Sequence, residues 1–198
     1  MGIKRGNERV EEFEWVTNRD LVDSAHMLMG KIDLDPASSA FANEYVGADK
    51  YYGPTNDPLN GEDPWFGNVY LFPPSYSYYF NKQKDKWIKT RGLSPTLTSG
   101  TALWWKTLKR NWLEGKVNQA VFFTNYLDIV MYCQDIFDFP VCILKSRPTL
   151  IRHYYSDDRI ITKATGVSLC IHLQPRDRIR ESTENFIDIY GPKGRIIV

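Results

Sequence analysis

The run Asn68-Val69-Tyr70-Leu71-Phe72-Pro73-Pro74-Ser75-Tyr76-Ser77 holds the residues best placed for chemistry. Asn68 to Phe72 reads as a short strand, apolar, aromatic and β-branched. Two prolines stop it, because neither can donate to a ladder and both fix φ near −65°. The exit is a stiff turn with its backbone carbonyls held in set directions, and a polar, aromatic segment follows at once. In an α/β sheet the space beyond a strand's carboxyl end is where ligands bind. The plainer reading is that Pro-Pro punctuates a strand.

Two further sets of residues could act with it. Ile32-Asp33-Leu34-Asp35 alternates as a strand and ends at Pro36, with Ala37 and Ser38 next. Asp35 there can reach a ligand bound across a switch point, or can N-cap the segment beginning Pro36-Ala37-Ser38. Downstream, Tyr78, Tyr79, Phe80 and Trp87 interleave with Lys82, Lys84, Lys86, Lys89 and Arg91. From Lys82 to Lys116, nine Lys and Arg stand against Asp85 and Glu114. Cations for phosphates and rings for an unpaired base make the expected nucleic-acid surface; a solvated helix face is the alternative. His26, His153 and His172 are too scattered for a metal site or a triad.

The ordered set Ile32-Asp33-Leu34-Asp35-Pro36-Ala37-Ser38-Ser39, Asn43, Tyr51-Tyr52, Asp57-Pro58-Leu59, Trp65-Phe66-Gly67 and Val69-Tyr70-Leu71 before Pro73-Pro74 resembles the phage-type DNA N6-adenine methyltransferases. The likeness runs from Trp15 to the carboxyl end and is densest from Ile32 to Ser77. It implies a Rossmann-like, S-adenosylmethionine-dependent methyltransferase fold that transfers methyl to an amino group of a flipped-out base. Cofactor contacts carried over are Trp15 and Thr17, Asp33, Asp35, Pro36, Ala37 and Ser38, and Asp57 near the adenine end. Trp15 as a staple on the first helix and Asp57 as a turn aspartate are the structural alternatives. Catalysis would fall to Phe72, Pro73, Pro74, Ser75 and Tyr76, and DNA contact to Lys82, Lys84, Lys86, Lys89 and Arg91. Implied partners are double-stranded DNA, or single-stranded DNA, and a second copy or an active partner subunit. The implied setting is the host-cell cytoplasm, for a phage- or prophage-encoded protein without metal or membrane.

One departure touches the chemistry. The family has Asn or Asp where this chain has Phe72, and an aromatic residue where it has Ser75. Pro73's carbonyl remains as an amino-group acceptor, and Tyr76 becomes the stacking candidate. Three readings follow: an amino-methyltransferase with a substitute acceptor such as Ser75 or Tyr76, one with a different base or nucleic-acid choice, or a degenerate domain serving as partner subunit, regulator or decoy.

The elements that must hold these residues follow from pattern. Residues 1–14 are charged and read as a mobile arm. Asn18 N-caps a helix whose Leu21, Ala25, Leu28 and Met29 share a face, and Gly30 stops it. Residues 40–63 read as a short helix or turn, a strand at Lys50-Tyr51-Tyr52, then a turn-rich loop through Gly61. Arg91 to Gly100 is a polar break, suited to a mobile loop over the site. Leu103, Trp104, Trp105, Leu108, Trp112 and Leu113 mark a helix ended by Gly115. Gln119–Thr124, Val141–Leu144, Val167–Leu173 and Arg195–Val198 read as strands, Leu127–Phe137 as a helix, and Lys145–Arg159 as a cation-bearing, DNA-facing loop. Strands alternating with helices predict an α/β domain over 15–198, with a mainly parallel sheet flanked by helices. That is too short for a large separate target-recognition domain, which implies a short recognition sequence or little specificity.

Composition narrows the class. A length of 198 residues suits one domain, and 42% apolar content excludes disorder. No apolar run nears the roughly 18 residues of a membrane span, and no signal-like core follows the charged start, so a soluble, intracellular protein is expected. Cys133, Cys142 and Cys170 lie in apolar segments and read as buried thiols. Net charge is +1 but uneven, −7 over residues 1–63 and +8 over the rest, which suits a polyanion on one face.

Overall fold

The computed structural model describes residues 13–17, 19–53, 55–74, 76–90, 98–154, 159–164 and 166–198. Expectations for the rest of the N-terminal arm, Asn18, Ser75, Arg91 with the break through 97, and residues 155–158 lie outside these. In chain order the elements are β1 (Phe13–Thr17), α1 (Arg19–Met29), β2 (Leu34–Asp35), α2 (Ala40–Val46), β3 (Lys50–Tyr51), β4 (Gly67–Leu71), β5 (Ser77–Asn81), β6 (Lys86–Thr90), β7 (Thr98–Ser99), α3 (Gly100–Leu113), β8 (Val117–Thr124), α4 (Asp128–Tyr132), β9 (Val141–Leu144), β10 (Thr149–Tyr154), β11 (Arg159–Lys163), β12 (Leu169–Leu173), α5 (Ile179–Tyr190) and β13 (Gly194–Ile197).

The central sheet has seven strands, in the order β13-β9-β12-β8-β4-β2-β3. β3, β2, β4 and β8 run parallel. β12 is antiparallel to both β8 and β9, and β13 is antiparallel to β9. The sheet is therefore mixed, a correction to the mainly parallel expectation. α4 carries the chain from β8 to the like-running β9. β12 then returns into the gap between them, and an antiparallel return needs no crossover helix.

Alternation along the strands builds two cores. In β8, Ala120 and Phe122 join the cluster containing α3's Leu103, Trp105 and Leu108, while Val121 and Phe123 join α1's Leu21 and Ala25 and α5's Phe186 and Tyr190. β4 divides likewise, Val69 and Leu71 against Tyr70. Both sheet faces are covered by helices, so these strands read as unbroken apolar runs.

Several local expectations meet a different outcome. No helix begins at Pro36: α2 starts at Ala40 and is N-capped by Ser39, whose hydroxyl accepts the Ala42 N–H at 3.0 Å, while Asp35 caps only the Pro36-Ala37 turn through the Ala37 N–H. The expected helix from Leu127 to Phe137 divides at Cys133 into α4 and a 3-10 turn, Gln134–Asp138. The basic aromatic stretch after Ser77 is no helix face: β5 and β6 pair antiparallel, and β7 pairs on β5. Asn81's side chain accepts the N–H groups of Gln83 and Lys84 and so makes the hairpin turn. The segment expected as a DNA-facing loop supplies β10 and the start of β11, which form an antiparallel sheet with β1. The three cysteines are buried free thiols, as expected. Burial pushes those of Cys133 and Cys142 up to about 11. Among the described residues no helix is long and apolar enough to cross a membrane, and no cluster of His, Cys, Asp and Glu could hold a metal.

Candidate functional site at the carboxyl ends of the central strands

β2 leads outward to β3, and the chain then returns to β2's other side as β4 and continues to β8. Strand order reverses between β2 and β4, the switch point at which open α/β sheets leave a crevice. β2 ends at Asp35 and β4 at Leu71, just before Phe72-Pro73-Pro74. Leu34 pairs with Val69, so the two ends are neighbours.

Asp35 is buried, and its carboxylate accepts the Ala37 N–H at 3.1 Å. Its backbone carbonyl accepts the Tyr52 N–H at 3.0 Å, and the Ser38 N–H donates to the Tyr52 carbonyl at 2.9 Å. These bonds tie the Pro36-Ala37-Ser38 turn to the end of β3. Thr17 comes in from β1: its buried hydroxyl accepts from the Tyr70 phenol at 3.0 Å. Burial pushes that phenol's pKa up, against the pull of the Thr17 bond. Trp15 lies two residues earlier on β1, opposite Arg152.

Two expected cofactor residues do other work. Asp33 sits beside the amino end of β4, not at a carboxyl end. One carboxylate oxygen takes Lys31 at 2.5 Å and the other accepts the Asn68 N–H at 2.8 Å. Its carboxylate therefore closes the bulge where Gly67 enters β4 at φ +64. Asp57 follows the turn reading. One oxygen accepts from Asn60 at 2.6 Å and the other faces Lys86 at 3.4 Å. Asn60 in turn exchanges bonds with the Trp87 backbone, so this loop clasps the β5–β6 hairpin.

The turn after β4 is packed on both sides. Phe72's ring lies 4.7 Å from that of Phe123, between centroids, on the sheet face covered by α1 and α5. Pro73 is buried, and the Pro74 carbonyl accepts the Tyr76 N–H at 2.9 Å. Lys89's ammonium stands 3.7 Å from the centre of the Tyr76 ring. Burial pushes the Tyr78 phenol up to about 12. Lys82 and Lys84 are exposed at the hairpin tip, whereas Lys86 is held by Asp57 and Glu62.

The structure adds residues that the sequence reading missed. A Cβ on Gly100 would run into the Tyr76 carbonyl oxygen, so a glycine is what lets α3 begin against the turn. Ser99, just before it, donates to one oxygen of Asp128 at 2.7 Å. The other oxygen of Asp128 and the side-chain oxygen of Asn125 are buried with no hydrogen-bond partner. The signal was present: Thr124-Asn125 ends an apolar strand on polar groups, much as Pro73-Pro74 ends β4 on fixed carbonyls. Against protein-family models, curated proteins and solved structures, the chain matches none.

Proposed function

We propose that the chain is an S-adenosylmethionine-dependent DNA methyltransferase acting on an exocyclic base amino group, adenine N6 in the first instance. The observation that carries the reading is the meeting of Asp35 and the Phe72-Pro73-Pro74 turn at adjacent strand ends, on the switch point of the sheet.

The residues present fit the cofactor's chemistry. Asp35 offers a buried carboxylate to hydroxyl or ammonium donors, and Ala37 and Ser38 beside it are small. When bound, S-adenosylmethionine supplies a methyl group on a sulfonium, a leaving group that needs no acid. The chain's own task is to align an amino nitrogen and exclude water. The Pro73 carbonyl accepts one amino N–H, Tyr76 supports the flipped base, and Lys82 and Lys84 meet phosphate. With the cofactor bound, these residues would hold the amino nitrogen in line with the methyl group, and the amino proton lost on transfer would leave to solvent.

A second reading, a catalytically degenerate domain that binds cofactor or DNA as a partner subunit, draws on Phe72. Its ring is packed against Phe123 and offers no acceptor. One pair of measurements separates the two. S-adenosylmethionine should raise the melting temperature, far less so in Asp35→Ala, and labelled methyl should reach adenine in DNA. A cofactor shift without transfer favours the degenerate domain; a folded protein with no shift at saturating cofactor removes both the enzyme and its cofactor-binding remnant.

A further inference from the structure

A base amino group becomes nucleophilic when its two N–H groups are held by fixed acceptors and its lone pair leaves the ring plane. Phe72 supplies none, and its ring is committed to Phe123. The chain that leaves the neighbouring strand β8 carries two acceptors, Asn125 and Asp128. Leu71, the last residue of β4, pairs with Phe122, and the Phe72 ring then meets that of Phe123; β8 runs on to Thr124, so Asn125 leaves the sheet at the same end as the Pro-Pro turn. Asp128 reaches the same place by another route. It holds Ser99, Ser99 pairs with Ser77, and Gly100 packs on the Tyr76 carbonyl.

Asn125 Oδ1 and Asp128 Oδ1 are buried and accept no hydrogen bond. A desolvated acceptor without a donor carries an uncompensated desolvation cost, which a ligand donor can recover. From this we infer that Asp128 Oδ1, with Asn125 Oδ1 three residues earlier in the chain, is the acceptor for the substrate amino group that Phe72 cannot be. The acceptor function has moved from the end of β4 to the end of β8. The inference rests on the amino-group reading above, but concerns binding as well as transfer.

The test compares the full chain with Asp128→Ala, Asn125→Ala and Asn125→Asp, after thermal unfolding shows each variant folded. Adenosine and purine riboside, which lacks the amino group, are titrated by NMR in the presence of S-adenosylmethionine. Methyl transfer to DNA is read in parallel. The full chain should prefer adenosine by about tenfold, the scale of one charge-assisted hydrogen bond. Both alanine variants should lose that preference while purine riboside binds as before, and Asn125→Asp should keep it. Methyl transfer should fall by roughly a hundredfold in Asp128→Ala. A preference unchanged in both alanine variants, or absent from the full chain, overturns the inference even where methyl transfer is present. A preference that the variants abolish, with no methyl transfer by any protein, sustains the acceptors and removes the enzyme reading instead.

Discussion

At the amino end of β4, both carboxylate oxygens of Asp33 are occupied, one by Lys31 and the other by the Asn68 amide. At the carboxyl end of β8, Asp128 has Ser99 on one oxygen and no partner on the other. The asparagines differ in the same way. Asn68 donates to the carbonyls of Met29 and Lys31, whereas the side-chain oxygen of Asn125 is buried and idle. One end of the sheet is closed by its own hydrogen bonds. The other holds desolvated acceptors, and unsatisfied buried groups of that kind mark where a donor belongs. The contrast separates an aspartate that builds the fold from one available for chemistry.

The largest effect should come from filling the closed end. Gly67 has φ +64, and a Cβ there would overlap the Asp33 carboxylate. Gly67→Val should cost about 3 kcal/mol or more, from left-handed strain plus overpacking. Gly30, at φ +79 with open space around it, provides the control, and Gly30→Ala should cost about 1–2 kcal/mol. Equal denaturation midpoints for the two variants would break the claim that the amino end is tightly closed.

Acid should act on the middle of the sheet and spare the contrast between its ends. His172 on β12 is buried, faces Ser182 at 2.6 Å and the Ala120 carbonyl at 3.1 Å, and stacks on Phe186. Burial lowers its pKa to about 4 from 6.5, the Ala120 bond opposing this. Between those values the unfolded chain binds more protons than the folded one, so the contribution is whole above pH 6.5 and is lost as pH falls toward 4. The loss should approach about 3 kcal/mol. Denaturant titrations from pH 7.5 to 4 check this, and His172→Gln should flatten the slope over that window.

Removing each aspartate sharpens the comparison directly. Asp33→Ala should cost about 2 kcal/mol, because the Asn68 N–H loses a charged acceptor. Asp128→Ala should cost less, since the lost Ser99 bond is offset by removal of an unpartnered buried oxygen. A larger loss at Asp128 than at Asp33 would mark Asp128 as structural.

The smallest effect concerns DNA. Lys82→Glu with Lys84→Glu should lower the slope of log affinity against log salt by about two and weaken binding about tenfold. Lys86→Ala should change hairpin stability more than that slope, because Asp57 and Glu62 already hold the ammonium. Equal slope changes would place Lys86 on the DNA face after all.

Much of the scaffold was legible in residue order. The first helix, the Lys50 strand, the Pro-Pro turn, the Trp105 helix and the apolar strands at Ala120 and Cys142 all stand where periodicity puts them. Propensity, capping and alternation are local, so single residues carry them. The hairpins were less legible. Tyr78 to Lys89 looks like a basic face until Asn81's turn and the pairing of Phe80 with Trp87 set it as two strands. α5 was missed, although Ser182, Phe186 and Tyr190 recur at helical spacing and are buried.

By itself, then, the sequence determined the first helix, the Trp105 helix and the apolar central strands, that the chain has enough apolar surface for a two-faced core, and that β4 ends on fixed carbonyls. Only the tertiary structure decided that β12 slots antiparallel between β8 and β9, that Asp33 closes one end while Asp35 ends β2 next to the end of β4 at the other, and that one side-chain oxygen each of Asn125 and Asp128 is buried without a partner. The reason is range. A residue's φ, ψ and burial preference travel with its own side chain. Which strand lies next to which is set by packing among residues far apart in the chain, and hydrogen-bond partners across the sheet follow only once that order exists.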